Sequence, residues 1–339
     1  MKISCYGIKS WEADYLKEKI MSDIPGSEVF LHERIVTKDD LPEDGDSEVL
    51  CVFVDSSVTR EVIDAMPNLK LIVTRSTGFD HIDIAYAKDR GITVSYVPSY
   101  GENTVAEFAF ALILALSRKI FPAFDNIKET GKYSFEGLTG FDLKGKTIGV
   151  IGTGRIGKHS VRMAKGFDMK VVAYDPFPNQ DLARELQFEY MSFEDLLKIS
   201  DIVTIHVPLS TETNHMFNSE TIPKMKKGAI LINTARGPIV DTKSLVLALQ
   251  SGQLGGAGLD VLEEEGILKD EMGAYLHGTM KGHDLETVLA NHILVDMPNV
   301  ILTPHAAFNT VEAIKRILDT TVLDMSSFLN NDAQNVIKS

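Results

Sequence analysis

The feature that most limits this chain is a glycine turn in an unusual place. Gly152-Thr153-Gly154-Arg155-Ile156-Gly157 follows a strand-like run, Thr147 to Ile151, and precedes a helix-like stretch, almost halfway along 339 residues. A GxGxxG turn uses its first glycine for a tight bend and its second to let backbone N–H groups approach a pyrophosphate. Its third allows close helix–strand packing. Asp175 ends a second strand-like run, Lys170 to Tyr174, at the distance where an acid hydrogen-bonds an adenosine ribose. A carboxylate there repels a 2′-phosphate, so the spacing predicts NAD rather than NADP.

Both sides of the turn alternate short apolar runs with amphipathic stretches, the pattern of parallel α/β sheets. In the first hundred residues Lys2–Tyr6, Val49–Val54, Leu69–Thr74 and Ile92–Ser95 read as strands. Trp11–Met21, Thr59–Ala65 and Asp83–Arg90 read as helices, the last ended by Gly91. The stretch Thr104–Ile120 is apolar on nearly every face, which predicts a helix buried between domains, or serving as an interface element, with Asn103 as its cap. A second strand series follows the glycine turn: Lys170–Tyr174, Ile202–Val207, Ala229–Asn233, Gly256–Val261 and Asn299–His305. Thr310–Leu329 has no sheet of its own to cover and is expected to cross back onto the first domain. Residues 1–100 and 306–339 should then form one domain and residues 101–305 the other, each a doubly wound parallel sheet.

Charge and cysteine content exclude several function classes. Thirty-four basic against 48 acidic side chains leave a formal charge of −14, which disfavours nucleic-acid backbones and anionic membranes. No apolar run is long enough to span a bilayer, and the opening Met1-Lys2-Ile3-Ser4 lacks an apolar signal core, so a cytoplasmic location is expected. Cys5 and Cys51, both on predicted strands, read as small core hydrophobes rather than a disulfide or metal ligands.

Three side chains fall where strands of the second series end: Arg236, Glu265 and His305. Open α/β sheets hold their ligands beyond the carboxyl ends of their strands. A guanidinium there can hold a carboxylate or polarise a keto oxygen with a planar fork of donors. A glutamate beside an imidazole favours the protonated ring and fixes its orientation. The imidazole can then give a proton to a developing alkoxide, or take one in the reverse direction. That set suits hydride transfer to a 2-oxo acid.

The matching segments are Thr74–Asp83, Val97–Tyr100 with Val105–Glu107, Gly149–Gly157, His206–Pro208, Asn233–Gly237, Gly258–Asp260 and Thr303–His305. In these the chain resembles the NAD-dependent D-2-hydroxyacid dehydrogenases, most closely the lactate-type branch. The resemblance implies a Rossmann NAD-binding domain inserted in a flavodoxin-like substrate domain. It implies that Arg236 binds the substrate carboxylate and keto oxygen, that Glu265 pairs with the imidazole, and that His305 is the proton donor. For the cofactor it marks Gly152, Gly154, Gly157, Arg155 and Ile156 at the pyrophosphate and Asp175 on the ribose. Val207, Pro208 and Thr213 fall on the adenine side, and Thr234, Ala235 and Asp260 line the nicotinamide, Asp260 accepting from its carboxamide. The backbone at Thr77 and Gly78 should receive the substrate carboxylate, with Tyr100 and Phe308 closing the pocket. Members of the family are usually homodimers.

Two positions depart from the lactate pattern: Asn309 follows Phe308 where an aromatic residue is common, and Gly101-Glu102 follow Tyr100 in place of Ser-Pro. Pyruvate is the expected substrate, with glyoxylate, hydroxypyruvate or phenylpyruvate as alternatives. A dinucleotide-sensing, corepressor-like binding protein is the alternative from another class. The stretch from Gly266 to Pro298 is poorly patterned. The spacing of His277, His283 and His292 within it does not match a metal site, and no metal is expected.

Overall fold

Continuous apolar runs become central strands of parallel sheets, buried on both faces. The computed structural model describes residues 1–269 and 283–337, so His277 lies outside the described residues. The chain forms two compact units, Met1–Gly101 with the segment from Thr310 onward, and Glu102–Asn309.

The first unit holds five parallel strands, β1 (Lys2–Cys5), β2 (Glu28–Leu31), β3 (Val49–Val52), β4 (Leu71–Thr74) and β5 (Thr93–Tyr96). Their order is β2-β1-β3-β4-β5, the flavodoxin-like arrangement, with its reversal between β1 and β3. Alternate residues face opposite ways, as the two-residue period of a strand requires. Ile3, Cys5, Val49, Cys51, Leu71 and Val73 pack with Leu16 and Ile20 of the helix Ser10–Asp23 and with Ile314, Leu318 and Val322 of the helix Val311–Leu329. Leu50, Val52, Ile72 and Val94 pack instead with Val62, Ile63 and Ala87. The last helix therefore packs on the first sheet. Cys5 and Cys51 are register neighbours on β1 and β3, fully buried and free. Strand β2 was not anticipated: it is a four-residue edge strand with no fully buried position.

The second unit holds seven parallel strands, β6 (Thr147–Ile151), β7 (Lys170–Tyr174), β8 (Glu189–Tyr190), β9 (Ile202–Ile205), β10 (Ala229–Asn233), β11 (Leu254–Leu259) and β12 (Val300–Leu302). The order β12-β11-β10-β9-β6-β7-β8 reverses between β6 and β9, as in a Rossmann sheet. The apolar helix runs from Glu102 to Ser117, and its buried Ala109, Phe110, Leu112 and Ile113 belong to this unit's own core. Gly258 admits it closely, because a Cβ there would lie 3.0 Å from Leu112 Cβ. Asn103 does not cap this helix but lies inside it, donating from Nδ2 to Glu107 Oε1 at 2.9 Å. The stretch to Ile120 is not one helix either: Lys119 takes a left-handed φ of 51° and a second helix runs over Ile120–Thr130. The poorly patterned region contains a further helix, Leu285–Asp296, capped by the Asp284 side chain on the N–H groups of Glu286 and Thr287.

After the last helix the chain turns back along the edge strand β5. Tyr96 N donates to Asn335 O at 3.2 Å and Ile337 N to Val94 O at 2.9 Å, covering an edge that would otherwise be open to pairing. Asn335 also donates to Asp324 Oδ1 at 2.7 Å, while the other Asp324 oxygen is buried with no partner among the described residues. Burial pushes this carboxyl up to about 7, against the opposing hydrogen bond from Asn335. The folded state thus holds the proton more tightly than the unfolded chain. The stabilisation is complete below about pH 4 and is lost as pH rises through about 7. Thermal melts from pH 4 to 8 should show Asp324→Asn losing this decline, matching wild type at the acid end and exceeding it at the alkaline end. A constant offset in Tm across the range would contradict that assignment.

Candidate active site

The glycine turn is built by contacts that only glycine allows at two of its three positions. Gly152 has φ +87°, and a Cβ there would come within 2.8 Å of both His206 O and Val207 Cγ1. At Gly157 a Cβ would lie 1.9 Å from Gly152 O, so the helix Gly157–Gly166 starts against the turn itself. A Cβ at Gly154 would meet nothing within 4 Å. The second glycine therefore faces open space at a helix N-terminus, which fits a pyrophosphate approaching the backbone. Arg155 is exposed and Ile156 partly exposed beside it.

Asp175 at the end of β7 is oriented by the same turn. Its Oδ2 accepts from Thr153 N at 2.8 Å and Thr153 Oγ1 at 3.0 Å, and its Oδ1 from Phe177 N at 2.9 Å. Thr153 also meets the Tyr190 hydroxyl at 2.6 Å. Neither Thr153 nor Tyr190 was singled out in the sequence, although a hydroxyl inside a GxG turn was a signal. After β9, Thr213 Oγ1 donates to Pro208 O at 2.7 Å, stapling the loop that carries Val207 and Pro208. His206 Nε2 lies 2.8 Å from Ser160 Oγ and 3.1 Å from Thr204 Oγ1. Burial pushes this imidazole down to about 3, so it is neutral at working pH.

Arg236, Glu265 and His305 follow β10, β11 and β12, three strands adjacent in the sheet and parallel. They consequently leave the same edge. Asn233, 1% exposed, shapes the first loop by donating from Nδ2 to Arg236 O at 2.9 Å and accepting from Ala235 N at 3.0 Å. The Arg236 side chain donates from Nη1 to Ala235 O at 2.8 Å. Thr234 Oγ1 is buried with no hydrogen-bond partner among the described residues, and Ala235 is partly buried beside it. An orphaned hydroxyl in this loop fits a ligand that would complete it.

Asp260, 1% exposed at the end of β11, organises the loop after β12. Its Oδ1 accepts from Thr303 Oγ1 at 2.5 Å and Ala306 N at 2.9 Å, and its Oδ2 from Ala307 N at 2.8 Å. Its backbone oxygen takes His305 N at 2.8 Å. Burial raises the carboxyl, and the three donors oppose that shift. His305 is thereby held at φ +52°, a left-handed conformation that costs a non-glycine residue about 1–3 kcal/mol. Asp260, expected to accept from a nicotinamide carboxamide, thus also anchors the His305 loop, a role that no local sequence pattern signals.

His305 Nδ1 lies 2.9 Å from Glu265 Oε1, and Glu265 Oε2 accepts from Leu262 N at 3.2 Å. Both side chains are partly exposed, at 28% and 35%, so the pair is open to a ligand. A cavity of about 300 Å³ adjoins them, lined by Asp260, Leu262, Glu265, Leu302, Thr303, Pro304 and His305. Phe308 is partly buried on the same loop. Thr77, Gly78 and Tyr100 belong to the first unit, in the loops after β4 and β5. There Thr77 Oγ1 donates to Val97 O at 2.9 Å, Ser76 Oγ to Gly78 O at 2.6 Å, and Arg316 Nε to Tyr100 O.

Among the described residues no group of three or more His, Cys, Asp or Glu side chains could hold a metal ion, and His283 pairs with Glu264 instead. No described helix is long and apolar enough to cross a membrane.

Comparison with known proteins identifies the family. The family described as D-isomer specific 2-hydroxyacid dehydrogenase, NAD binding domain, matches residues 110–307. The chain is 38% identical to 2-hydroxyacid dehydrogenase A of Aspergillus oryzae, over 97% of this chain and 92% of the relative. It is 42% identical to a glyoxylate reductase of Thermofilum pendens, over 84% of this chain and 78% of the relative. The crystal structure of D-lactate dehydrogenase from Aquifex aeolicus complexed with NAD and lactic acid superposes with a TM-score of 0.83 at 37% identity, covering 97% of this chain and 96% of that one. With the glycine turn, Asp175 and the two parallel sheets in place, the chain belongs to the NAD-dependent D-isomer-specific 2-hydroxyacid dehydrogenases.

Proposed function

We propose that this protein reduces a small 2-oxo acid, pyruvate foremost, to the D-2-hydroxy acid and catalyses the reverse reaction. The observation that carries the reading is the 2.9 Å contact between Glu265 and His305 Nδ1 beside a cavity at the sheet edge from which Arg236 also emerges. The bound dinucleotide supplies or receives the hydride. With Nδ1 turned to Glu265, Nε2 is the nitrogen through which His305 gives a proton to the alkoxide oxygen, or takes one from the alcohol. Glu265 keeps the ring in that orientation. Arg236 binds the substrate carboxylate and draws on the keto oxygen with its planar donors.

The remaining residues fall into cofactor and substrate roles. Gly152, Gly154, Arg155, Ile156 and Gly157 receive the pyrophosphate, and Asp175 the ribose hydroxyls. Val207, Pro208 and Thr213 border the adenine side, and Thr234, Ala235 and Asp260 the nicotinamide. Thr77, Gly78, Tyr100 and Phe308 complete substrate binding. Pyruvate is favoured by the likeness to a structure holding lactic acid. Glyoxylate is the second reading, favoured by the reductase relative, and one methylene shifts preference by only about 1–3 kcal/mol.

The protein acts in the cytoplasm as a homodimer in this reading. The helix Ile120–Thr130 supports the dimer, since Ile120, Phe121, Phe124 and Ile127 lie on one face and are about half exposed. A sedimentation mass equal to one 37.4 kDa chain would remove the dimer.

His305→Ala should lower turnover about 10²–10⁴-fold, the usual worth of a positioned acid–base group, while NADH affinity by fluorescence titration stays near wild type. Wild-type turnover in that variant would take His305 out of the mechanism. A spectrophotometric panel of 2-oxo acids with NADH should give the highest kcat/KM for pyruvate and only the D product. A clear preference for glyoxylate would move the protein to the second reading, and L product would contradict the stereochemistry.

A further inference from the structure

Three consecutive glutamates each meet a different histidine. Glu263 Oε1 lies 2.6 Å from His215 Nε2, Glu264 Oε2 lies 2.6 Å from His283 Nδ1, and Glu265 Oε1 lies 2.9 Å from His305 Nδ1. Only the last enters the chemistry above. The first stands out by its burial, because the Glu263 side chain is 14% exposed.

Glu263 is fixed from several directions. Its Oε2 accepts from Thr242 N at 2.8 Å and Thr242 Oγ1 at 2.7 Å, at the first turn of the helix Thr242–Gln250, where the helix dipole favours a carboxylate. Its carbonyl oxygen accepts from Nδ2 of the fully buried Asn291 at 2.7 Å. The backbone at this point also lies under the Arg236 loop: a Cβ on Gly237 would come 2.1 Å from the Leu262 carbonyl carbon and 2.5 Å from Glu263 N. His215 is itself held, accepting from Asn218 Nδ2 at 2.9 Å and donating its N–H to Pro238 O at 2.8 Å. Its other ring nitrogen is 3.8 Å from Asp241 Oδ2.

The next residue, Glu264, has φ +53°, a left-handed conformation that a non-glycine residue keeps only where its neighbours impose it. That turn leads directly to Glu265. We propose that Glu263, clamped between His215 and Thr242, is a positioning residue for the reaction, fixing the backbone from which Glu265 reaches His305. The proposal rests on the reading of Glu265 and His305 as the acid–base pair. Freed of the clamp, the chain at Glu264 relaxes out of its left-handed turn and the carboxylate of Glu265 leaves the imidazole. A group displaced by a fraction of an ångström forfeits rate without losing ligand binding.

The test compares Glu263→Ala, Glu263→Gln and His215→Gln with His305→Ala, by steady-state kinetics with pyruvate and NADH across pH. Glu263→Ala should lower kcat by about tenfold or more with KM nearly unchanged, and should move the limb of the pH profile that reports the acid–base pair. Glu263→Gln, which keeps an acceptor for Thr242 and a donor for His215, should recover most of the rate. Wild-type kcat and pH limb in Glu263→Ala would overturn the positioning role, as would an equal loss in Gln and Ala. Should Glu263→Ala fail to fold, His215→Gln carries the test, since that side chain is 41% exposed, and wild-type kinetics there overturn the clamp. An active His305→Ala would defeat the underlying reading, whereas an inactive His305→Ala with a normal Glu263→Ala defeats only the positioning role.

Discussion

A single buried carboxylate determines where the imidazole stands. Asp260 leaves β11 and takes three donors from the loop after β12, one hydroxyl and two backbone N–H groups, while its carbonyl takes a fourth from His305. Three hydrogen bonds to its two oxygens offset the cost of burying it. In return, a residue with a Cβ is kept in the left-handed region at the one position where the ring must be aimed. The orientation of His305 is thus built by the sheet and its loop, and Glu265 completes it.

The same logic spreads outward from that loop. Asn233 closes the turn carrying Arg236, Gly237 lets that turn rest on the Leu262–Glu263 backbone, and Glu263 ties the backbone to His215 and Thr242. Three successive strand ends are therefore tied together by hydrogen bonds from buried polar side chains and by close backbone packing, in addition to the apolar core beneath them. Loops held this way are precise without being buried, as a ligand site at the carboxyl edge of an open sheet requires. At the other side of the switch point, Thr153 and Asp175 lock the glycine turn to β7 by the same device.

Much of this was legible in the residues because the physics left few alternatives. Only glycine fits Gly152 and Gly157, and short β-branched runs such as Val49–Val52 and Ile202–Ile205, set between amphipathic stretches, favour strands buried on both faces. What escaped notice lacked such a signature. Strand β2 is a half-exposed edge, and β8 has two residues, so neither carries a period. The break at Lys119 is marked only by Pro122, in the first turn of the helix that follows, and by no glycine. The helix Leu285–Asp296 hides because its buried face includes Asn291 while Leu285, Leu289 and Ile293 stay exposed. The anchoring role of Asp260 depends on partners 43 to 47 residues away, and that of Glu263 on one 48 residues away; no local pattern reports either.

The proposed reaction requires Arg236 and His305 both to reach one bound oxo acid. A crystal structure of the ternary complex with NADH and oxamate, an unreactive pyruvate analogue, tests it most directly. The proposed reaction puts the Arg236 guanidinium on the oxamate carboxylate and His305 Nε2 within hydrogen-bond distance of its carbonyl oxygen, with Nδ1 still on Glu265. Oxamate bound away from either side chain, or an imidazole turned from Glu265 in the complex, would contradict it.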